Sequence, residues 1–184
     1  MAKNRYAADY RLIEEFDEKG RVKVTYEYIG EAYRFAEAGK IVDRHRKLWV
    51  LMALSGWILF IAALIPYSTA MRRLWIALPY VFSAVPLAFT TELAFTVFSQ
   101  KEPLEHRIAD KLDNNHPAQL FALLFFTGIA ASLSVLHLAL SDERVPGDFV
   151  FSACALLLAG GAFYLMKTRK RLRVEKCAAD NEQR

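Results

Sequence analysis

Four long apolar runs dominate the chain after its first 47 residues. They cover residues 48–65, 74–98, 118–140 and 149–166, and Glu92 is the only charged side chain within them. A hydrocarbon core of ~30 Å needs about 20 helical residues, and backbone polar groups in lipid must bond within their own helix. The sequence therefore predicts an all-α integral membrane protein, a four-transmembrane-helix bundle over residues 48–166.

The segment before the first run has a different pattern of apolar and polar residues. Apolar and aromatic residues alternate with polar ones on both sides of residues 17–20, at Tyr10, Leu12 and Phe16 and then at Val22, Val24, Tyr26 and Tyr28. This is the period of a half-buried strand, and the glycine at the end of residues 17–20 suits a tight turn. We therefore predict a small cytosolic β-hairpin over about residues 9–29, within an N-terminal segment of residues 1–47. A lone hairpin is marginally stable, so residues 32–41, the membrane surface or a partner must cover its apolar face.

The basic residues predict the orientation of the chain. Of the 24 lysines and arginines, 21 lie before the first run, between the second and third runs or after the fourth, and 3 lie in the other two connections. Cytoplasmic flanks retain positive charge. Both termini are expected in the cytosol of a multi-pass protein of the bacterial plasma membrane. The net charge of +4 is then a topology signal, and no nucleic-acid partner is expected.

Three polar segments are expected at the inner membrane surface. Leu104, Ile108 and Leu112 recur at helical spacing, which predicts a short amphipathic helix on that surface, ended by residues 114–117. Trp49 is expected to enter the lipid directly after a basic segment. The tail, residues 167–184, is strongly basic and could contact anionic lipid of the inner leaflet or only fix the topology. Its lipid-contact candidates are Lys167, Arg169, Lys170, Arg171 and Arg173.

Glu92 is the sharpest candidate for chemistry. An acidic side chain in a membrane span costs about 2.5 to 3.5 kcal/mol at the centre on insertion scales, so it tends to pair or to line a pathway. With Thr91 and Thr96 nearby, Glu92 could bind a proton or a cation during transport. It could equally be a structural carboxyl that bonds to a neighbouring helix.

Other polar or helix-breaking residues in the runs favour structural roles. Pro79 and Pro86 remove backbone donors from the second run and are expected to bend it for packing, rather than to build a transport site. His137, near the outer end of the third run, is expected to form a hydrogen bond across helices.

Reactive constellations are missing from the sequence. Cys154 and Cys177 form no redox or metal motif, and phosphate-loop, dinucleotide and zinc-protease motifs are absent. We therefore expect no catalytic residues, no metal and no cofactor. The leading prediction is a non-enzymatic accessory, scaffold or interaction subunit, with the lipid bilayer and a protein partner or second copy as its contacts. The alternative is a small oligomeric transporter or channel that uses Glu92.

Overall fold

The helices of this chain are long because its apolar runs are long. The computed structural model describes residues 6–16, 22–37, 39–100, 103–142 and 144–177. It is 74% helical, and four of its helical segments are long and apolar enough to cross a membrane. These segments are Gly39–Ala62, Leu74–Ser99, His106–Leu140 and Pro146–Leu172.

The four segments pack side by side as a bundle. Its helices are α1 (Gly39–Ala62), α2 (Leu74–Phe82), α3 (Ala84–Ser99), α4 (His106–Asp110), α5 (His116–Leu140) and α6 (Pro146–Thr168). Helix α1 packs against α3 and α6, and α5 packs against α2, α3 and α6. Large apolar side chains such as Leu51, Ile58 and Phe121 point outward and stay exposed. An apolar exterior suits a bundle whose surrounding solvent is lipid.

The second segment is interrupted at Ser83, as the two prolines predict. Pro79 lies inside α2, and Pro86 lies in the first turn of α3. Because proline has no backbone N–H, Pro86 cannot bond to the carbonyl four residues earlier. The Ser83 hydroxyl donates to the carbonyl of Tyr80 (2.5 Å), which adds a side-chain bond to the last turn of α2.

The prediction of a separate surface helix between the second and third runs is wrong. Helix α4, a π-helical turn (Lys111–Asn115) and α5 follow one another without interruption. The N–H of His116 bonds to the carbonyl of Lys111, which is the wider spacing of a π turn. Ile108 and Leu112 are buried in the bundle core, so this apolar face packs against protein instead of the membrane surface.

Two small sheets lie at one end of the bundle, which we call the sheet end. Strands β1 (Tyr10–Phe16) and β2 (Val22–Tyr28) pair antiparallel, with Tyr10 opposite Tyr28 and Leu12 opposite Tyr26. The predicted hairpin strands are therefore present, while the predicted turn at residues 17–20 lies outside the described residues. The opposite end, the loop end, carries the connections after α1 and after α5.

The second sheet joins three distant parts of the chain. Strand β3 (Ala32–Phe35) lies between β4 (Leu104–Glu105) and β5 (Val174–Lys176) and is antiparallel to both. Its inward side chains, Phe35, Leu104 and Val174, are buried in one cluster with Trp49 and Leu165 of the bundle. Residues 32–35 thus form a strand, but it does not extend the hairpin.

Candidate functional site

Glu92 lies on the outside of the bundle near its sheet end. Its side chain is 57% exposed, and its Oε1 lies 2.9 Å from the Nζ of Lys111 in the π turn. The two residues line a shallow groove of about 150 Å³ together with Phe89 and Gln119. The carboxylate therefore has a cationic partner on the neighbouring helical segment, but it does not face the interior of its own bundle.

The two threonines named with Glu92 point elsewhere. The Thr91 hydroxyl donates to the carbonyl of Leu87 (2.8 Å) and accepts from the indole N–H of Trp57 on α1 (3.0 Å). The Thr96 hydroxyl donates to the backbone carbonyl of Glu92 (2.8 Å). The three candidate transport residues thus share one helix without forming one polar site.

Tyrosine side chains fasten the hairpin to the bundle. The Tyr10 hydroxyl donates to Oε2 of Glu105 (2.6 Å), and the Tyr28 hydroxyl accepts from the backbone N–H of His106 (2.7 Å) and donates to the carbonyl of Glu31 (2.8 Å). The bond to the Glu105 carboxylate raises the pKa of Tyr10 to about 12, with burial as a second cause. Burial is the main cause of the raised pKa of Tyr28.

His106 lies at the centre of this attachment. Its Nδ1 is 3.2 Å from Oδ2 of Asp9, the Tyr33 ring stacks on it at 5.7 Å, and the Tyr6 ring meets it edge-on at 5.6 Å. Tyr6 also donates to the carboxylate of Asp110. Several contacts of different kinds therefore fix the start of the hairpin against α4.

The far part of the hairpin leaves an apolar face uncovered. Tyr10 and Tyr28 lie next to the bundle. Leu12 and Tyr26, the next pair on the same face of the hairpin, are 50% and 68% exposed. Val22 and Val24 are exposed on the same face. Side chains from the near half of this face line a hollow of about 480 Å³. We call Leu12, Val22, Val24 and Tyr26 the hairpin face.

The basic tail folds back onto the bundle. A 3₁₀ turn (Arg169–Leu172) follows α6 and leads into β5, and its Leu172 is buried. Arg169, Lys170 and Arg173 line one pocket at the sheet end. Lys167 is exposed and lies outside that lining, and the Arg171 Nη1 lies 3.3 Å from His45 Nε2. The structure thus separates the five lipid-contact candidates into two groups.

A second polar cluster lies at the loop end. The Asp148 carboxylate is almost fully buried and accepts four hydrogen bonds, from the Ser68 and Thr69 hydroxyls (2.8 and 2.7 Å) and the Ala70 and Val145 N–H groups (3.0 and 3.3 Å). Because the Thr69 hydroxyl donates to Asp148, it accepts from His137 Nε2 (3.0 Å). The hydrogen bond of His137 was expected across helices; its partner Thr69 lies in the connection after α1 instead of in a helix. The cluster joins the two connections and does not present a free nucleophile.

Comparisons with protein-family models, with curated proteins and with solved structures find no match for this chain. What its architecture defines is a class: a small protein with four helices that could span a membrane and a folded polar end.

Three informative residues were missed or misplaced from the sequence. Asp148 resembles the last polar residue of a loop, and His116 resembles the end of a surface helix. Trp49 was expected in lipid, but its indole is buried against the His116 ring at 4.4 Å. The sequence did contain a signal for these buried positions. Polar and aromatic residues occur together close to the ends of the apolar runs, where other helices rather than lipid can surround them.

Proposed function

We propose that this protein is a non-enzymatic, membrane-anchored interaction subunit that presents the hairpin face to a protein partner in the cytosol. The observation that carries the proposal is the contrast between the two ends of this face. Polar bonds hold Tyr10 and Tyr28 against the bundle, while Leu12 and Tyr26 remain exposed. An apolar surface that the described part of its own chain leaves uncovered is typical of an interaction site.

A hairpin fixed in this way suits recognition better than a mobile one. Preorganised contacts reduce the ordering cost that binding must overcome. Exposed tyrosine and branched aliphatic side chains supply large contact area with few rotatable bonds. The second sheet adds support, because β3 follows the hairpin directly and is paired on both of its edges.

Adjacent positions on β2 allow a sharp test. A photo-crosslinking amino acid at Tyr26 reports on the hairpin face, and the same amino acid at Glu27 reports on the opposite face of the same strand. We expect a discrete protein adduct in cells from position 26 that Leu12→Ser abolishes, and none from position 27. Equal adducts from both positions, or lipid adducts alone, would contradict the proposal.

The cytosolic placement rests on the basic residues, of which 21 of 24 lie, along the sequence, before the first apolar run, between the second and third runs or after the fourth. Cys177 offers a native reporter, since it is partly exposed after β5 while Cys154 is buried. In a Cys154→Ala background, a membrane-impermeant maleimide should label Cys177 only after permeabilisation. Labelling in intact bacterial cells would reverse the orientation.

The second candidate function is a small oligomeric transporter or channel that uses Glu92. The pairing of Glu92 with Lys111 beside an open groove supports it, because a membrane-proximal carboxylate with a cationic partner can exchange that partner for a transported ion. Its outward position means that a second copy, rather than its own helices, would complete a pathway. The proposal of an interaction subunit needs no such assembly, and we rank it first.

A further inference from the structure

A pocket of about 510 Å³ opens at the sheet end between Trp49 in the first half of α1, the start of α5 and the basic turn after α6. Its polar lining comprises Trp49, Asp113, His116, Arg169, Lys170 and Arg173. The residues come from three helical segments that are far apart in sequence. The pocket is therefore a product of the fold rather than of one charged run.

Charge in the pocket favours an anion. Arg169, Lys170 and Arg173 are set against one carboxylate, that of Asp113, which is itself exposed. Within the described part of the chain, none of the three cations takes part in an ion pair. Arginine presents several donors in a planar fork that matches phosphate oxygens, which lysine complements as a point charge.

Besides its positive charge, the pocket has two buried nitrogen atoms that lack hydrogen-bond partners. Trp49 and His116 are 2% and 1% exposed, and their rings lie 4.4 Å apart with a tilt of 31°. Trp49 Nε1 and His116 Nε2 have no hydrogen-bond partner among the described residues. An indole N–H can only donate, so its partner must be an acceptor. Buried polar groups of this kind in a native protein call for such a partner.

The helical geometry at the pocket is also unusual. The π turn (Lys111–Asn115) directly precedes His116 and carries Asp113. Single π turns inside α-helices occur frequently at functional sites. Here the turn lies directly before the residue whose ring packs, tilted, against Trp49.

We propose that this pocket binds a phosphate group, with Arg169 and Arg173 as its charged donors, Trp49 Nε1 as a buried donor and His116, in the tautomer protonated at Nε2, as a second buried donor. The ligand class is a phosphate monoester or diester, carried either by an anionic phospholipid headgroup or by a small soluble molecule. Basic pockets between membrane helices on the cytoplasmic side are suited to anionic headgroups. This inference goes beyond the proposed partner binding and does not depend on it.

The test uses the full chain in two arms. In nanodiscs of phosphatidylcholine, calorimetric titration with inorganic phosphate measures binding of a free anion. In detergent, native mass spectrometry with phosphatidylglycerol and with phosphatidylcholine measures binding of a headgroup. Saturable binding in either arm supports the site, and the arm that gives it identifies the source of the phosphate.

Matched variants distinguish binding in the pocket from nonspecific attraction to the basic tail. Arg169→Gln with Arg173→Gln removes two charges that line the pocket, and Lys167→Gln with Arg171→Gln removes two that do not. At about tenfold for each charge-assisted bond, the first pair should weaken binding by roughly a hundredfold and the second by no more than about twofold. Trp49→Phe removes one donor without a change of charge and should weaken binding by about tenfold.

Three results would overturn the inference. One is the absence of saturable binding in both arms, and another is equal weakening by the two double variants, which would mean diffuse attraction to the tail. The third is wild-type affinity in Trp49→Phe. Melting temperatures without ligand check folding. If Trp49→Phe fails to fold, the two double variants decide, because they change side chains at the surface.

Discussion

Asp148 supports a quantitative prediction, since its carboxylate joins the two connections at the loop end. In Asp148→Ala, the N–H of Ala70 loses its acceptor inside the protein, where water cannot replace it. The Ser68 and Thr69 hydroxyls can rotate toward other acceptors, so they add less to the loss. A bond to a charged group contributes about 1.5 to 3 kcal/mol, and we expect a total loss of about 3 kcal/mol in the free energy of unfolding.

Asp148→Asn should cost less, for a geometric reason. Its Oδ1 can keep the bonds from Ser68 and Ala70, while its amide group replaces the oxygen that accepts from Thr69 and Val145. The Thr69 hydroxyl can turn to accept from that amide, which leaves the Val145 N–H as the main loss. We expect about 1 kcal/mol.

A thiol-reactive dye measures both effects. In a Cys177→Ser background the buried Cys154 becomes accessible only on unfolding. For a chain of this size, 1 kcal/mol shifts the melting temperature by about 2 to 4 °C, so Asp148→Ala should melt roughly 6 to 12 °C lower. Asp142→Ala, an exposed carboxylate of the same connection, is the control. The reasoning fails if Asp148→Ala matches the control, or if Asn is the more damaging replacement.

Three further predictions follow from single contacts. A Cβ at Gly147 would lie 1.8 Å from the carbonyl oxygen of Tyr67, so Gly147→Ala should prevent folding, whereas Gly128→Ala, inside α5 with open space around it, should leave the melting temperature unchanged or raise it by a few degrees. The raised pKa of Tyr10 means that its contribution to stability is complete below the ordinary tyrosine pKa of about 10 and is lost as the pH rises through about 12. Because other tyrosines such as Tyr28 also ionise late, the test is a difference: ultraviolet titration of Tyr10→Phe should lack one tyrosine with a midpoint near pH 12 that the wild type shows. If the protein transports ions, Glu92→Gln should abolish proton or cation flux in proteoliposomes, and flux that survives would exclude Glu92 from the mechanism.

The long helices could be predicted because span length and backbone hydrogen bonding in lipid leave few alternatives. Their polar extensions could not. Helix α1 begins at Gly39, before its apolar run, because Val42 gains burial in the cluster at the sheet end. The segment of residues 114–117 resembles a helix end, yet the π turn lets the helix continue through Pro117.

Long-range pairing explains most of what the sequence did not predict at the candidate sites. Alternation identifies β1 and β2, whose partners are neighbours in the chain, but β4 and β5 are too short to leave a period. The phosphate pocket depends on the same kind of contact. The basic residues of the tail could be recognised from the sequence, while their meeting with Trp49 and His116 depends on how three distant helices pack.

The central position of β3 in its sheet has a consequence for biosynthesis. During translation β3 leaves the ribosome before any membrane segment, β4 follows after two of them, and β5 follows only after the fourth. Both edges of β3 therefore stay unpaired while the first two segments are inserted, and the edge that pairs with β5 stays open until the fourth has followed, so the sheet closes last. Until then, exposed strand edges can pair with other chains. A premature stop before Val174 would leave one edge permanently open, so a quality-control protease or chaperone could distinguish finished from unfinished copies by that edge alone.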